Sequence, residues 1–182
     1  MTRTGWQKTW VRTATTLLTA AVMIMIFFFS TENGNESDRR SGVISMAVIR
    51  LIHPEYEQMD EEAMKDIYDG VQHIVRKCAH FTEYMMLGFM IRLCVESWFG
   101  NRKRGRGCLG VTASGAGILY ACTDEAHQMA IEGRMGAWAD VLVDAGGVLA
   151  GAVIGTLLIR SLEKRKKSLK LQGEKDGLFQ KQ

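Results

Sequence analysis

Between Thr13 and Ser30 the chain reads TATTLLTAAVMIMIFFFS, a run without a single charged side chain. A second run, Ala139 to Ile159, is apolar apart from Asp140 and Asp144. Each is close to the ~20 residues that a helix needs to cross a ~30 Å hydrocarbon layer. The overall hydrophobic content, 47% of 182 residues, would suit a soluble domain, but its bunching does not. Two further stretches of similar length, 78–99 and 108–128, carry charges and so rank lower by hydropathy. Read as spans too, they give an all-α, polytopic membrane protein: a bundle of about four transmembrane helices at 13–30, 78–99, 108–128 and 139–160.

The first run follows Arg3, Lys8 and Arg12, as in a signal peptide, but FFFSTENG after it holds no small-x-small cleavage pattern, so it reads as an uncleaved helix. Lys and Arg accumulate in cytoplasmic loops. Three precede the first span, four crowd into NRKRGRG, and six lie between Arg160 and Lys170. Residues 1–12, the 100–107 loop and the 161–182 tail therefore share the cytoplasmic side, with 31–77 and 129–138 outside the cell membrane. The tryptophans agree, Trp6, Trp10 and Trp98 marking the inner interface and Trp138 the outer.

The 31–77 segment is acidic but patterned. Val43, Ile44, Ala47, Val48, Leu51 and Ile52 recur at helical spacing before His53-Pro54, where the run should stop. Met64, Ile67, Val71 and Ile74 form a second amphipathic stretch leading into the second span. Either can lie on the membrane or cap the bundle. The tail beyond Lys170 is polar and Gly-containing and is expected to be disordered. Cys78, Cys94, Cys108 and Cys122 have no metal-type spacing and read as small apolar helix residues. A Cys78–Cys122 disulfide is compatible with depth, though nothing supports it.

The polar residues inside the spans fall into two layers. Counted from Phe99, Cys108 and Ile159, the carboxylates Glu83, Asp124 and Asp144 lie 15 or 16 residues along their helices, and His80, His127 and Asp140 each lie 19. At ~1.5 Å per residue the first trio stands about 24 Å above the inner boundary and the second about 5 Å higher. Each helix presents its pair on one face, since the spacings are i,i+3 or i,i+4. Gly147, Gly151 and Gly155 continue that face below Asp144, and Gly110, Ser114, Gly117 and Ala121 do so below Asp124. Such small residues let helices approach closely, so the polar faces are expected to point into the bundle, where ionisable groups inside lipid must point.

Near the outer face Glu83, Asp124, Glu125, Asp140 and Asp144 outnumber Arg76, Lys77 and Arg134. Buried carboxylates without partners take up protons, so either some are neutral or a cation belongs there. Arg76 and Lys77 stand on the side the orientation rule disfavours, and are expected to bind a lipid phosphate or these acids. The mixed set His80, Glu83, Asp124, His127 and Asp140 would suit zinc, manganese or iron, and oxygen ligands alone would suit calcium or magnesium. Glu125 points elsewhere on its helix and reads as a solvated residue.

Two motifs resemble the VanZ-like membrane proteins, a family named for an accessory protein of glycopeptide resistance. RKCAHFTEYMMLG, Arg76 to Gly88, is similar to the family's Arg-Lys-x-Ala-His-Phe-x-Glu-Tyr pattern. YACTDEAHQMAIEGRMGAWADVLVDAGGVLAG, Tyr120 to Gly151, is similar to its Asp-Glu-x-His-Gln, Gly-Arg and Asp-Val-Leu sequence with a glycine-rich helix. Asp144 departs from the family's usual Asn, and Met129 to Glu132 from an apolar-Pro run. The resemblance implies a core at 76–160. It implies polar positions at Arg76, Lys77, His80, Glu83, Tyr84, Asp124, Glu125, His127, Gln128, Arg134 and Asp140, and a role in teicoplanin-type resistance or envelope physiology, without supplying a reaction.

Two functions follow as expectations. A binding protein would engage a membrane lipid, a lipid-linked envelope precursor or a lipoglycopeptide at the outer face, with Arg76, Lys77 and Arg134 on the anionic part and the acids on an amine. A metal-dependent membrane hydrolase would use the His/carboxylate set to activate water against a lipid-linked bond, with Glu83, His127 and Asp124 as the catalytic groups. No nucleophile elbow, P-loop or zincin spacing supports the hydrolase, so the reading leans away from an enzyme. A proton-relaying transporter comes third, because four helices leave little room for a path unless the protein forms a homo-oligomer. No nucleic-acid partner is expected.

Overall fold

A computed structural model describes residues 8–31, 34–100, 105–130 and 138–179. Among them the chain is all-α: α1 (Thr9–Ser30), α2 (Gly34–Ile52), α3 (Glu61–Phe99), α4 (Arg106–Gln128) and α5 (Trp138–Phe179), with a single 3-10 turn at Tyr56–Gln58. Local chemistry explains the boundaries. α2 stops just before His53-Pro54, since Pro54 disfavours helical backbone at the residue before it. At the start of α3 the Asp60 carboxylate accepts from the Ala63 N–H at 2.8 Å, and Glu61 and Glu62 occupy the first turn, where the helix dipole favours negative charge.

The 39 residues of α3 join the amphipathic stretch and the expected second span into one rod. α5 is 42 residues long and continues through Phe179, which corrects the expectation of a disordered tail beyond Lys170. The reason is compositional: Leu, Lys, Arg, Glu and Gln dominate from Ser161 onward, no Pro interrupts them, and helix propensity carries the exposed turns.

α3 is the hub and packs on every other helix. α1 meets it antiparallel, the Thr15 and Ser97 hydroxyls sharing a 3.0 Å hydrogen bond near one end of the bundle. α4 runs parallel to α1: the Tyr120 hydroxyl donates to the Met23 carbonyl at 2.8 Å, and Ser30 and His127 meet one end further on. α5 runs parallel to α3, and glycine sets their separation. Gly147 lies against Phe81 and Met85, Gly151 against Met85 and Phe89, and Gly155 against Phe89 and Arg92. A Cβ at Gly151 would sit 2.7 Å from the Phe89 backbone nitrogen, too close for two helices at this spacing. The small-residue face read from sequence is thus the α3–α5 contact. On α4 the buried small residues are Ala113, Gly117 and Ala121, with Gly117 under Val148.

Val22, Ile26, Tyr84, Leu87, Ile91, Ala113, Ala121 and Val148 form the core. Outside it the bundle is apolar as well: Leu17, Leu18, Ile24 and Phe28 of α1 and Leu142, Leu149, Val153 and Leu157 of α5 are exposed. Two helices, Thr9–Ser30 and the Trp138–Gln172 part of α5, are long and apolar enough to cross a membrane. α2 packs antiparallel on the first half of α3 through Gly42, Ser45 and Ile49, with Gly42 tucked beside the Tyr68 hydroxyl. Its more hydrophobic stripe faces away, Val43 being 74% and Leu51 83% exposed. All four cysteines are free thiols, so Cys78 and Cys122 are not paired.

Candidate functional site

The polar side chains of α3, α4 and α5 converge at the end of the bundle where α1 finishes at Ser30. Deepest is Tyr84, wholly buried, whose hydroxyl donates to Asp124 Oδ2 at 2.8 Å. Gln128, one turn along α4, donates from Nε2 to the same oxygen at 2.8 Å. Asp124 therefore keeps two donors inside the bundle, which a buried carboxylate requires. One turn outward on α3, His80 Nδ1 stands 3.9 Å from Asp144 Oδ1, with Asp144 itself only 1% exposed. A turn further, Lys77 forms an ion pair with Asp140.

Phase explains the ladder. Lys77, His80 and Tyr84 are spaced by three and four residues on one face of α3, and Asp140 and Asp144 by four on α5, so parallel helices bring them together in order. The two layers counted from the span ends are corrected here in register. Asp144 lies level with His80 rather than with Glu83, and Asp140 level with Lys77. α5 has no end near Ile159 from which to count, because the helix continues for five more turns. The Gly147–Gly151–Gly155 contact fixes the register instead.

His127 does not join the acids. Its Nδ1 shares a 3.4 Å hydrogen bond with the Ser30 hydroxyl, and its ring stacks on Phe27 with centroids 5.1 Å apart. Glu125, expected to be solvated, is buried, since the turn of α4 that carries Asp124 turns this neighbour inward too. Arg76 donates from Nη1 to Asp38 Oδ1 at 3.1 Å, tying α3 to α2. Arg134 lies outside the described residues. Among those described, no three His, Cys, Asp or Glu side chains are grouped as a metal ion requires. Of the five proposed ligands, Asp124 is engaged by Tyr84 and Gln128, His127 by Ser30 and Asp140 by Lys77, while His80 faces Asp144.

Between these groups lies a cavity of about 110 Å³. Its polar lining is Ser30, Arg40, Ser41, Arg76, His80, Glu83, Asp124 and Gln128, and its apolar lining is Ile26, Phe29, Ile44, Val75 and Ala79. Lys77 is absent from this lining and faces the α3–α5 side. Arg40 enters from α2 with its guanidinium 4.4 Å above the Phe29 ring. Sequence reading missed it, although Arg39-Arg40 breaks the same orientation rule that singled out Arg76-Lys77. Also missed was a second buried polar group toward the other end of the bundle. There Arg92, 0% exposed, donates to Glu96 Oε2 at 2.9 Å and to Thr156 Oγ1 at 3.0 Å. Its sign in the sequence is an i,i+4 pair of opposite charge inside an otherwise apolar stretch.

A comparison with protein families matches residues 15–159 to VanZ/LLP1. The chain belongs to the VanZ/LLP1 family. The VanZ/LLP1 match begins within α1 and ends at the last apolar turn of α5, so it takes in the cavity, its α2 cover and the Arg92 pair together. It is longer than the 76–160 stretch that carries the sequence motifs. No curated protein and no solved structure matches the chain.

Proposed function

We propose that this VanZ/LLP1 protein spans the cell membrane four times, through α1, the second half of α3, α4 and the first half of α5, with both termini cytoplasmic. In this reading the cavity opens at the outer face and binds the anionic end of an amphiphile. The charge pattern supports the orientation, since the helix ends that adjoin the basic stretches of the sequence, Thr9, Phe99 and Arg106, and the basic turns of α5 after Arg160 all lie opposite the cavity. Exposed apolar side chains around α1 and α5 support the bilayer as their solvent.

One observation carries the binding reading. The cavity joins two guanidinium groups, Arg40 and Arg76, to an apolar wall contributed by α1 and α2. Guanidinium is the side chain best matched to phosphate, and an apolar wall beside it suits the adjoining hydrocarbon. Glu83 and Asp124, also in the lining, suit an amine carried by the same ligand. Lys77 does not line the cavity and, paired with Asp140, serves structure. The ligand class is thus a membrane lipid, a lipid-linked envelope precursor or a lipoglycopeptide, and the biological effect is teicoplanin-type resistance or maintenance of the envelope.

The test is susceptibility to teicoplanin in a sensitive bacterium expressing Arg76→Gln, Arg40→Gln, Glu83→Gln or Asp124→Asn at matched membrane levels. The binding reading expects the two arginine variants to lose protection. Unchanged protection in all four would end it.

A further inference from the structure

A second concavity lies at the opposite end of the bundle, between α4 and α5, with a volume of about 580 Å³. That falls within the ~300–1,000 Å³ range of ligand sites. One wall is α4 from Gly107 to Ile118 and the other is α5 from Leu149 to Arg160. The helices run antiparallel here, so the groove is about 17 Å long at ~1.5 Å per residue, close to half the ~30 Å hydrocarbon layer.

Its glycines differ from those at the helix contacts. Gly88, Gly117, Gly147, Gly151 and Gly155 each face a neighbour that a Cβ would strike, whereas a Cβ on Gly107, Gly110 or Gly115 would meet nothing within 4 Å. Glycine inside a helix costs about 0.5–1 kcal/mol relative to alanine. At these three positions no contact within the chain requires it, and what their smallness does is keep the groove open. Val111, Leu149, Val153 and Leu157 make the groove apolar, and Arg160, exposed at its end, supplies the charge. Lys164, Arg165, Lys166 and Lys167 follow Arg160 on α5, against one acid, Glu163.

We propose that this groove seats one acyl chain of an anionic phospholipid of the inner leaflet, with Arg160 on its phosphate. The proposal rests on the membrane reading above and not on the outer cavity. An apolar channel one leaflet long, closed by a cation at the headgroup level, matches an acyl chain that extends that length from a charged headgroup. A packed helix from a second copy would need no cation at one end.

The experiment is native mass spectrometry of the full-length protein released from nanodiscs containing equal phosphatidylglycerol and phosphatidylcholine. The wild type is expected to retain phosphatidylglycerol. Gly110→Leu/Gly115→Leu fills the groove while raising helix propensity, so it should keep its thermal stability and lose the retained lipid. Arg160→Gln should bring phosphatidylglycerol and phosphatidylcholine retention to parity. Arg76→Gln, which acts at the outer cavity, should leave intact the part of the phosphatidylglycerol retention that the glycine double variant removes. Lipid retained equally by the glycine double variant, or no preference in the wild type, overturns the proposal. So does a wild-type dimer that the double variant converts to a monomer, which would make the groove a self-association face. Release from membranes by alkaline carbonate would instead refute the membrane reading itself.

Discussion

Glycine-mediated contact between α3 and α5 positions the site, and a pair of substitutions of opposite sign tests it. In Gly151→Ala the new Cβ would sit 2.7 Å from the Phe89 nitrogen and 2.9 Å from the Met85 carbonyl carbon, both backbone atoms that cannot swing aside. The helices must separate, which overpacking data put at about 1–3 kcal/mol. Gly115→Ala places the same methyl group where nothing lies within 4 Å, and should gain about 0.5–1 kcal/mol from helix propensity. The two alanines therefore differ by roughly 1.5–4 kcal/mol. For a domain of this length about 1 kcal/mol moves the melting temperature by ~2–4 °C. Thermal denaturation in one detergent, followed by circular dichroism, should show Gly151→Ala melting below the wild type and Gly115→Ala at or above it. Equal melting temperatures, or the reverse order, would refute the claim that Gly151 sets the helix separation.

Three further perturbations follow from the polar ladder and from the Arg92 pair. Tyr84→Phe removes one of the two donors to Asp124 and should destabilise the protein by about 1–3 kcal/mol, with Gln128→Leu in the same background adding a comparable loss in the same melting assay. Lys77→Met strands Asp140, and because this pair is only partly buried its coupling should fall between the ~1 kcal/mol of surface pairs and the ~3–5 kcal/mol cost of breaking buried ones. A double-mutant cycle with Asp140→Asn measures it, and zero coupling would show the pair to be incidental. Arg92→Met leaves Glu96 buried without its cation, at about 3–5 kcal/mol, and Arg92→Met/Glu96→Gln should recover most of that loss. Failure of the double variant to recover would mean that Arg92 has a role beyond pairing.

Much of this was legible in the sequence because the signals are local. The α2 stop at Ile52 follows from Pro54, the run of α3 out of its amphipathic stretch from the spacing of Met64, Ile67, Val71 and Ile74, and the tight α3–α5 face from glycines four apart. What failed depended on how helices meet. Depth counted from a presumed end at Ile159 put Asp144 beside Glu83, whereas α5 has no end there and the crossing sets the match. α2 buries Gly42, Ser45 and Ile49 and leaves Val43 and Leu51 outward, a choice that hydrophobicity alone would reverse but which a close approach to Tyr68 explains. Arg92 and Glu96 drew no notice in the sequence, and only packing places both inside the bundle.

Whether Arg76 and Arg40 hold phosphate is open to direct measurement. Titration of a fluorescent polyprenyl phosphate into wild-type protein in phosphatidylcholine nanodiscs should give saturable binding that Arg76→Gln and Arg40→Gln each weaken and an uncharged polyprenol does not reproduce. Equal affinity for phosphate and alcohol, with both arginine variants indistinguishable from the wild type, would contradict it.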